Sequence, residues 1–196
     1  CNQPIITKWN LARFAECLIP LIDTNQNKSI ELATDIINSF EKKYEEKWME
    51  MMRHKLGLSI LDEKDKFLIL DLLTWMHQHK ADYTNTFCYL MNEKIQNDKI
   101  YTDGHFKIWK KRWQERLKKE KNIQDKSIKL MKRNNPVVIP RNHKIEEVLN
   151  AAQEHDLKPF LRFLEILKKP YSSREDLKDY QTLSNSDEKY KTFCGT

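Results

Sequence analysis

The sequence predicts an all-α protein, and three observations support this fold class. Glycine occurs three times in 196 residues, whereas Leu, Ile, Lys and Glu are common, a balance that favours helix over sheet. Apolar residues recur at helical intervals through most of the chain. No stretch alternates between apolar and polar residues as a half-buried strand does, so we expect a succession of helices.

The first part of the chain predicts two helices. Residues 9–22 place apolar side chains, including Trp9 and Phe14, on one broad face. A polar linker follows, and Ser29 or an earlier Asn can cap a long second helix that reaches about Lys55. Gly57 then stands where a helix of this kind commonly ends.

Three aspartates are predicted to cap the next three helices, because each precedes an apolar run at helical spacing. They are Asp62, Asp82 and Asp103. The helices are expected to bury, in turn, Phe67, Leu70, Leu73 and Met76; Phe87, Leu90, Met91 and Ile95; and Phe106, Ile108, Trp109, Trp113 and Leu117. The following basic run should continue as a helix to Arg133, with a break near Asn122.

Residues 134–142 differ from the rest of the chain, because Pro136 and Pro140 enclose three apolar β-branched residues. Each proline fixes its own φ and moves the preceding residue toward extended backbone. We therefore expect an ordered crossing segment held against a core, followed by two short helices that end before Pro170. The predicted regions are 1–133 (helical), 134–142 (crossing segment), 143–170 (helical pair) and 171–196 (polar tail).

Positive charge is concentrated in one part of the chain. The net charge is +6, and residues 105–133 alone hold twelve Lys and Arg against three Asp and Glu. Such a stripe can attract nucleic acid, a membrane surface or an acidic protein. No window approaches the roughly 20 apolar residues that a membrane span needs, so we expect no membrane partner.

Two tryptophans decide between interpretations of this basic region. A site for nucleic acid would place lysines on phosphates and stack aromatic rings on bases. The four-residue spacing of Trp109 and Trp113 is instead typical of a buried helical stripe, so a solvated basic face above a core is favoured. The basic patch comprises Lys107, Lys110, Lys111, Arg112, Arg116, Lys118 and Lys119.

The residues after the crossing segment form a second candidate site. Arg141 can bind a carboxylate or a phosphate through two parallel hydrogen bonds. Asn142 can cap the next helix, and His143 follows it. An external polar contact and an internal ion pair for Arg141 are both compatible with the sequence, and the choice stays open.

Two other clusters of polar residues are not predicted to form a binding or metal site. The run of hydroxyl residues after Asp82 is explained by helix capping. His77 and His79, with Asp71 nearby, point apart on a helix, so their spacing does not predict a metal site.

The four cysteines lack the spacing of a zinc or disulfide-exchange motif. Cys17 and Cys88 lie in apolar helical contexts and are predicted to be buried thiols. Cys194 stands close to the C-terminus, where a thiol is accessible, and is the best redox candidate. Together these features favour a reduced, cytosolic setting.

Three segments, taken in order, resemble the C-terminal part of the selenoprotein O family of kinase-like protein adenylyltransferases. The first combines Asn2-Gln3-Pro4 with WNLARFAE at 9–16, and the second combines KLGL at 55–58 with ADYTNTF at 81–87. The third combines NP at 135–136, IPRNH at 139–143 and EE at 146–147, and the ending FCGT also fits. Since the chain begins with Cys1 and not with Met, we expect it to be part of a longer protein.

The resemblance implies a protein kinase-like fold, of which this chain would be the helical remainder of the C-lobe and the C-terminal extension. It implies transfer of AMP from ATP to Ser, Thr or Tyr hydroxyls of proteins, with Mg²⁺ or Mn²⁺. The family's nucleotide-binding and metal-binding residues precede the Asn-Gln-Pro segment. No catalytic residue is therefore assigned here, and the chain alone is expected to bind neither cofactor. Cys194 occupies the place of the family's terminal selenocysteine or cysteine, which implies a redox role.

The same resemblance implies two partners, namely the preceding kinase-like lobe of the same protein and the protein substrates. It implies a location in the cytoplasm of a bacterium or in the mitochondrion of a eukaryote. Composition alone leaves an alternative, a stand-alone basic helical module that binds nucleic acid or an acidic protein. The tryptophan spacing disfavours nucleic acid as the partner.

Overall fold

A computed structural model describes residues 2–93, 98–120 and 124–184. Within these ranges every regular element is a helix and no strand occurs, which confirms the all-α prediction. The chain forms two compact units, residues 1–52 and 53–196. The predicted regions with bounds at 133, 142 and 170, and the origin of the fold in a kinase-like lobe, stay predictions. The α-helices are α1 (Gln3–Ile22), α2 (Gln26–Asn38), α3 (Phe40–Lys55), α4 (Asp65–Gln78), α5 (Tyr83–Leu90), α6 (Gly104–Leu117), α7 (Gln124–Asn134), α8 (Asn142–Gln153), α9 (Lys158–Leu167) and α10 (Lys178–Gln181).

In the first unit, α1 packs against α2. Helix α1 begins earlier than predicted because Pro4 stands in its first turn, where the missing N–H costs nothing. No residue of α1 is buried, and Trp9 and Phe14 of the predicted apolar face are 61% and 60% exposed. Asn25 caps α2 by accepting hydrogen bonds from the N–H groups of Asn27 and Lys28, which confirms the earlier Asn as the cap.

The predicted long second helix is wrong, because two helices meet at Ser39. The hydroxyl of Ser39 donates a hydrogen bond of 2.7 Å to the carbonyl of Ile36. A serine side chain that bonds the backbone in this way competes with the helical ladder and favours a break.

In the second unit, Gly57 ends α3 in the manner the sequence predicts. Its φ is 76°, in the left-handed region that glycine adopts without strain. The N–H of Leu58 donates to the carbonyl of Arg53 at 2.9 Å, and the N–H of Gly57 donates to His54 at 3.0 Å, which is a Schellman motif. A Cβ at Gly57 would lie 3.0 Å from the carbonyl oxygen of Ser127, so the backbone of α7 also requires glycine there.

Helix α4 presents a different face to the core from the one predicted. Asp62 does not cap it; the helix begins at Asp65, and Asp62 accepts the N–H of Lys64 in the preceding turn. Phe67 is 67% exposed, although Met76 is buried as predicted. This different orientation of α4 about its axis follows from Asp65, whose side chain points inward. The residues three, four and seven positions later lie on the same face of the helix and therefore also face the core. These are Leu68, Ile69 and Leu72.

The caps predicted for α5 and α6 are confirmed. Asp82 accepts the N–H of Asn85 at 2.7 Å, and Asp103 accepts the N–H of Phe106 at 2.9 Å. Phe87 and Leu90 of α5 and the aromatic residues of α6 are buried, whereas Ile108 is 64% exposed against the prediction. Ile95 and Asn122 lie outside the described residues.

The middle of the crossing segment is buried. Val137 and Val138 are 2% and 1% exposed, and the N–H of Val137 donates to the carbonyl of Pro170 at 2.8 Å. The amide of Asn135 donates to the carbonyls of Lys55 and Met131, both at 2.9 Å. The segment therefore joins the end of α3, the end of α7 and the turn after α9. Helices α8 and α9 then pack on each other.

Candidate functional site

Arg141 forms an internal ion pair with Asp82. Nη1 of Arg141 lies 2.9 Å from Oδ2 of Asp82, and Nη2 lies 3.0 Å from Oδ1 of the same carboxylate. Nη2 also lies 3.2 Å from Oδ1 of Asn85. Both partners are largely buried, with side chains 10% and 19% exposed. Two-point pairing of this kind fixes orientation as well as charge, so Arg141 ties the start of α8 to the start of α5.

The electrostatics of this pair keep Asp82 ionised. Burial raises the pKa of the Asp82 carboxyl, but the hydrogen bonds from Arg141 and the Asn85 N–H outweigh burial and leave the pKa below its ordinary value. A carboxylate held in this state by its own arginine is unsuited to proton transfer near neutral pH.

The network continues from Asn85 to the end of the described chain. The Asn85 amide donates to the carbonyl of Gln181 at 3.4 Å, and the Gln181 amide donates to the carbonyl of Val137 at 2.9 Å. Thr86 donates to the carbonyl of Asp82 at 2.7 Å and contacts the hydroxyl of Tyr101 at 3.2 Å. The cluster around Asp82 and Arg141 thus joins α5, the crossing segment and α10.

Asn142 and His143 do not join this ion pair. Asn142 is the first residue of α8 and not its cap, because Arg141 holds the cap position with extended backbone. His143 is half-buried, its Nε2 atom is buried without a hydrogen-bond partner, and burial lowers its pKa. Neighbouring Lys144 and Arg141 lower the pKa further, so the imidazole is neutral at pH 7.

The tryptophans of α6 face the core, which confirms that part of the prediction. Trp109 and Trp113 are each 4% exposed. Their indole N–H groups donate to the carbonyls of Leu68 and Leu56, at 2.8 and 2.9 Å. Neither ring is available to stack on a base.

The basic patch divides into three groups. Arg112 pairs with Asp71 at 2.6 Å and Lys119 with Asp62 at 3.3 Å. The ammonium of Lys110 lies 4.6 Å from the ring centre of Tyr89. The third group comprises Lys107, Lys111 and Lys118. These lysines are exposed to solvent and form no ion pair within the described part of the chain.

Arg116 does not belong to a surface patch, which corrects the prediction. It is 7% exposed, and its guanidinium lies 2.7 Å from Asp65, 2.9 Å from Glu120 and 2.6 Å from the carbonyl of Ile60. Burial lowers the pKa of the guanidinium, but the two carboxylates raise it more. Burial raises the pKa of Glu120, and its bonds to Ser59, Arg116 and Ile60 lower it below the ordinary value.

Sequence reasoning missed this buried ion network. The four-residue spacing of Arg116 and Glu120 was the one available signal, since it can pair two side chains on a helix. Asp65 comes from another helix, 51 residues away. Lys55 was missed in the same way; its ammonium donates to the carbonyl of Asn134 at 3.1 Å and lies 4.7 Å from the ring centre of Phe87.

His79, directly after the end of α4, makes its own contacts within the fold. His79 places Nδ1 3.0 Å from the carbonyl of Trp75 and Nε2 3.8 Å from Asp103. Asp71 is engaged by Arg112. Across residues 2–93, 98–120 and 124–184 no three His, Cys, Asp or Glu side chains lie together as metal ligands.

The cysteines differ from the prediction in one case. Cys88 is buried as predicted, and burial raises the pKa of its thiol to about 12. Cys17 is exposed, because α1 buries none of its residues. Cys194 lies outside the described residues. No helix in the described part is long and apolar enough to cross a membrane.

Comparison with known proteins identifies the family of this chain. A family model described as "Protein adenylyltransferase SelO" matches residues 1–168. The chain therefore belongs to the SelO family, and the resemblance drawn from the three sequence segments is confirmed.

Curated relatives of the chain are named "Protein nucleotidyltransferase YdiU". The relative from Pelagibacter ubique (strain HTCC1062) is 55% identical over 196 residues, covering 100% of this chain and 41% of the relative. The relative from Geobacillus kaustophilus (strain HTA426) is 45% identical over 197 residues, and that from Clostridium perfringens (strain 13 / Type A) is 43% identical over 196. The chain spans about two fifths of the length of these relatives.

Proposed function

We propose that this chain is the C-terminal region of a protein adenylyltransferase, which transfers AMP from ATP to Ser, Thr or Tyr hydroxyls of proteins. The match of the SelO family model to residues 1–168 carries the proposal. ATP and Mg²⁺ or Mn²⁺ would be held by the part of the longer protein that precedes this region. The bacterial relatives support a cytoplasmic location.

In this proposal the chain supports the catalytic part and does no chemistry itself. Helix α1 would dock on the preceding kinase-like lobe through its exposed apolar residues, which include Trp9, Phe14 and Leu21 at 61%, 60% and 81% exposure. Apolar residues repeated along one helix without a covering partner are typical of a contact surface.

The test compares the longer protein with this chain alone, using ATP labelled at the α-phosphate and casein as the acceptor. The longer protein is expected to label casein when Mg²⁺ or Mn²⁺ is present, and this chain alone is expected to leave it unlabelled. In a parallel reaction with ATP labelled at the γ-phosphate, labelling of casein would identify a kinase and refute the proposal. Transfer by this chain alone would refute the assignment of a supporting role.

A redox role for Cys194 is a separate part of the proposal and rests on the family resemblance. The change Cys194→Ser in the longer protein is expected to alter its response to hydrogen peroxide and to leave its reduced activity nearly unchanged. Loss of reduced activity in that variant would instead indicate a structural role for this residue.

A stand-alone basic binding module is the second candidate function. Lys107 and Lys111 of α6 and Lys118 at its end, which form no ion pair within the described part of the chain, favour it. A module that neutralises phosphates should lose affinity steeply between 50 and 200 mM salt. A protein-binding module should prefer acidic peptides to oligonucleotides at the same salt concentration.

A further inference from the structure

A groove of about 690 Å³ opens beside the basic face of α6. Helix α6 forms most of it, the end of α5 contributes Leu90 and Asn92, and α7 contributes Ser127 and Ile128. Its volume is within the range of ligand sites in proteins, roughly 300–1,000 Å³. The groove lies wholly within the second unit.

The lining of the groove combines apolar and cationic side chains. Leu90 and Trp113 are almost fully buried and supply apolar surface, as do the half-buried Leu117 and Ile128. Three lysines line the same groove: Lys110, Lys111 and Lys118. An apolar surface beside several cations fits a ligand that has both apolar and acidic groups.

The negative charges of the groove do not cancel these lysines. Glu120 lines the groove, but its carboxylate is bound by Arg116 and by the N–H groups of Ser59 and Ile60. Glu115 is the other glutamate in the lining and is exposed. The groove therefore carries three lysine charges against one free carboxylate.

The lysines of the groove also form fewer ion pairs with internal carboxylates than the neighbouring basic residues do. Within the described part of the chain, Lys111 and Lys118 form no ion pair, whereas Arg112 and Lys119 pair with aspartates of the α4 region. Lys110 contacts the face of Tyr89. An anion that enters the groove need not displace an internal carboxylate from any of these lysines.

We propose that this groove binds an acidic segment of a partner protein, one in which Asp or Glu residues flank an apolar side chain. The carboxylates would contact Lys111 and Lys118, and the apolar side chain would pack beside Leu117. Charge complementarity supports this occupant. Nucleic acid fits less well, because the tryptophans of α6 are buried with their N–H groups engaged and cannot stack on bases. The proposal does not depend on nucleotidyl transfer.

The binding test uses a short fluorescein-labelled peptide of alternating Glu and Leu, with fluorescence anisotropy as the readout. A Lys and Leu peptide of the same length serves as the charge control, and a labelled single-stranded oligonucleotide serves as the competing class. The acidic peptide is expected to bind most tightly, with an affinity that falls as salt rises. Tighter binding of the oligonucleotide, or no binding of the acidic peptide at low salt, would overturn the proposal.

Two variants locate the peptide in the groove. The double change Lys111→Glu and Lys118→Glu is expected to weaken the peptide about tenfold, because like charges then oppose each other. The matched control, Lys107→Glu with Lys169→Glu, changes net charge equally at exposed positions outside the groove and should weaken it much less. Equal losses in the two double variants would show that net charge alone attracts the peptide.

A third variant tests the apolar part of the groove separately from its charge. Gln114→Trp places a large ring in the lining at an exposed position of α6, so the fold should tolerate it. Binding of the peptide is expected to fall while the melting temperature stays unchanged. Undiminished binding in this variant would show that the peptide does not occupy the groove.

Discussion

The buried guanidinium of Arg116 gives the sharpest stability prediction. Its partners Asp65 and Glu120 have side chains 0% and 5% exposed. Arg116→Met keeps most of the side-chain volume but leaves both carboxylates without their cation. Breaking a buried pair by removing one partner costs about 3–5 kcal/mol, so we expect the free energy of unfolding to fall by about that amount.

Urea unfolding followed by tryptophan fluorescence measures this loss. Trp9 and Trp48 belong to the first unit, so changing both to Phe leaves Trp75, Trp109 and Trp113 to report on the second. The matched control is Lys118→Ala, on the exposed side of the same helix, which should change stability by no more than about 0.5 kcal/mol. A loss below about 1 kcal/mol for Arg116→Met would refute the assignment of this guanidinium as the neutralising charge.

A second variant separates charge from packing. Asp65→Asn removes the most buried carboxylate while keeping its shape, so the combination with Arg116→Met should cost less than the sum of the two single changes. Contacting residues commonly show interaction energies of about 0.5–3 kcal/mol in such a cycle. Strict additivity would mean that the two side chains contribute independently.

Three further outcomes are expected. Gly57→Ala should destabilise the second unit by about 1–3 kcal/mol from its left-handed backbone alone. Gly104→Ala, whose added Cβ meets nothing within 4 Å, should be neutral or slightly stabilising. Urea unfolding compares the two variants, and similar effects would contradict the left-handed backbone and the close approach to α7 at Gly57. In a variant with Cys1 and Cys194 replaced by Ser, Ellman's reagent should label the exposed Cys17 quickly. It should label Cys88 only after unfolding, because burial raises the pKa of that thiol to about 12. Rapid labelling of Cys88 in the folded protein would show that the core around this thiol opens to solvent. The free energy of unfolding should fall as pH decreases through about 6.5, because His143 then gains a proton more readily in the unfolded chain than in the folded chain, where its pKa is lowered. The stability of His143→Gln should fall less over the same pH range. Identical pH profiles of stability for the two proteins would refute this contribution of His143.

Local chemistry explains the parts of the fold that the sequence predicted. Asp82 and Asp103 each precede an apolar run and satisfy free N–H groups of the first turn, so their role depends on neighbours in the chain. The same holds for Gly57, whose position after α3 requires a left-handed backbone. Pro136 and Pro140 lie between the end of α7 and the start of α8, where they interrupt the helical pattern for a similar local reason.

The errors at α4 and at Arg116 arise where a distant residue decides the outcome. The inward side chain of Asp65 rotates α4, and its partner Arg116 lies on another helix, so the apolar spacing of α4 alone pointed to the wrong face. The same pairing removed Arg116 from the predicted surface patch. Arg141 could have met an external anion or an internal acid, and only the folded chain shows that Asp82 occupies it.

The hydrogen bonds of the second unit also determine when it can fold during synthesis. The pair formed by Arg141 and Asp82 joins residues 59 positions apart, and the bond from Asn85 to Gln181 joins residues 96 apart. Contacts between distant positions slow folding, because much of the chain must be ordered before they form. The ribosome must release Gln181 before the carbonyl of Val137 can receive its amide. Until then the hydrogen bonds that join Asn85, Val137 and Gln181 cannot form, and partly folded chains with exposed apolar surface are prone to aggregate.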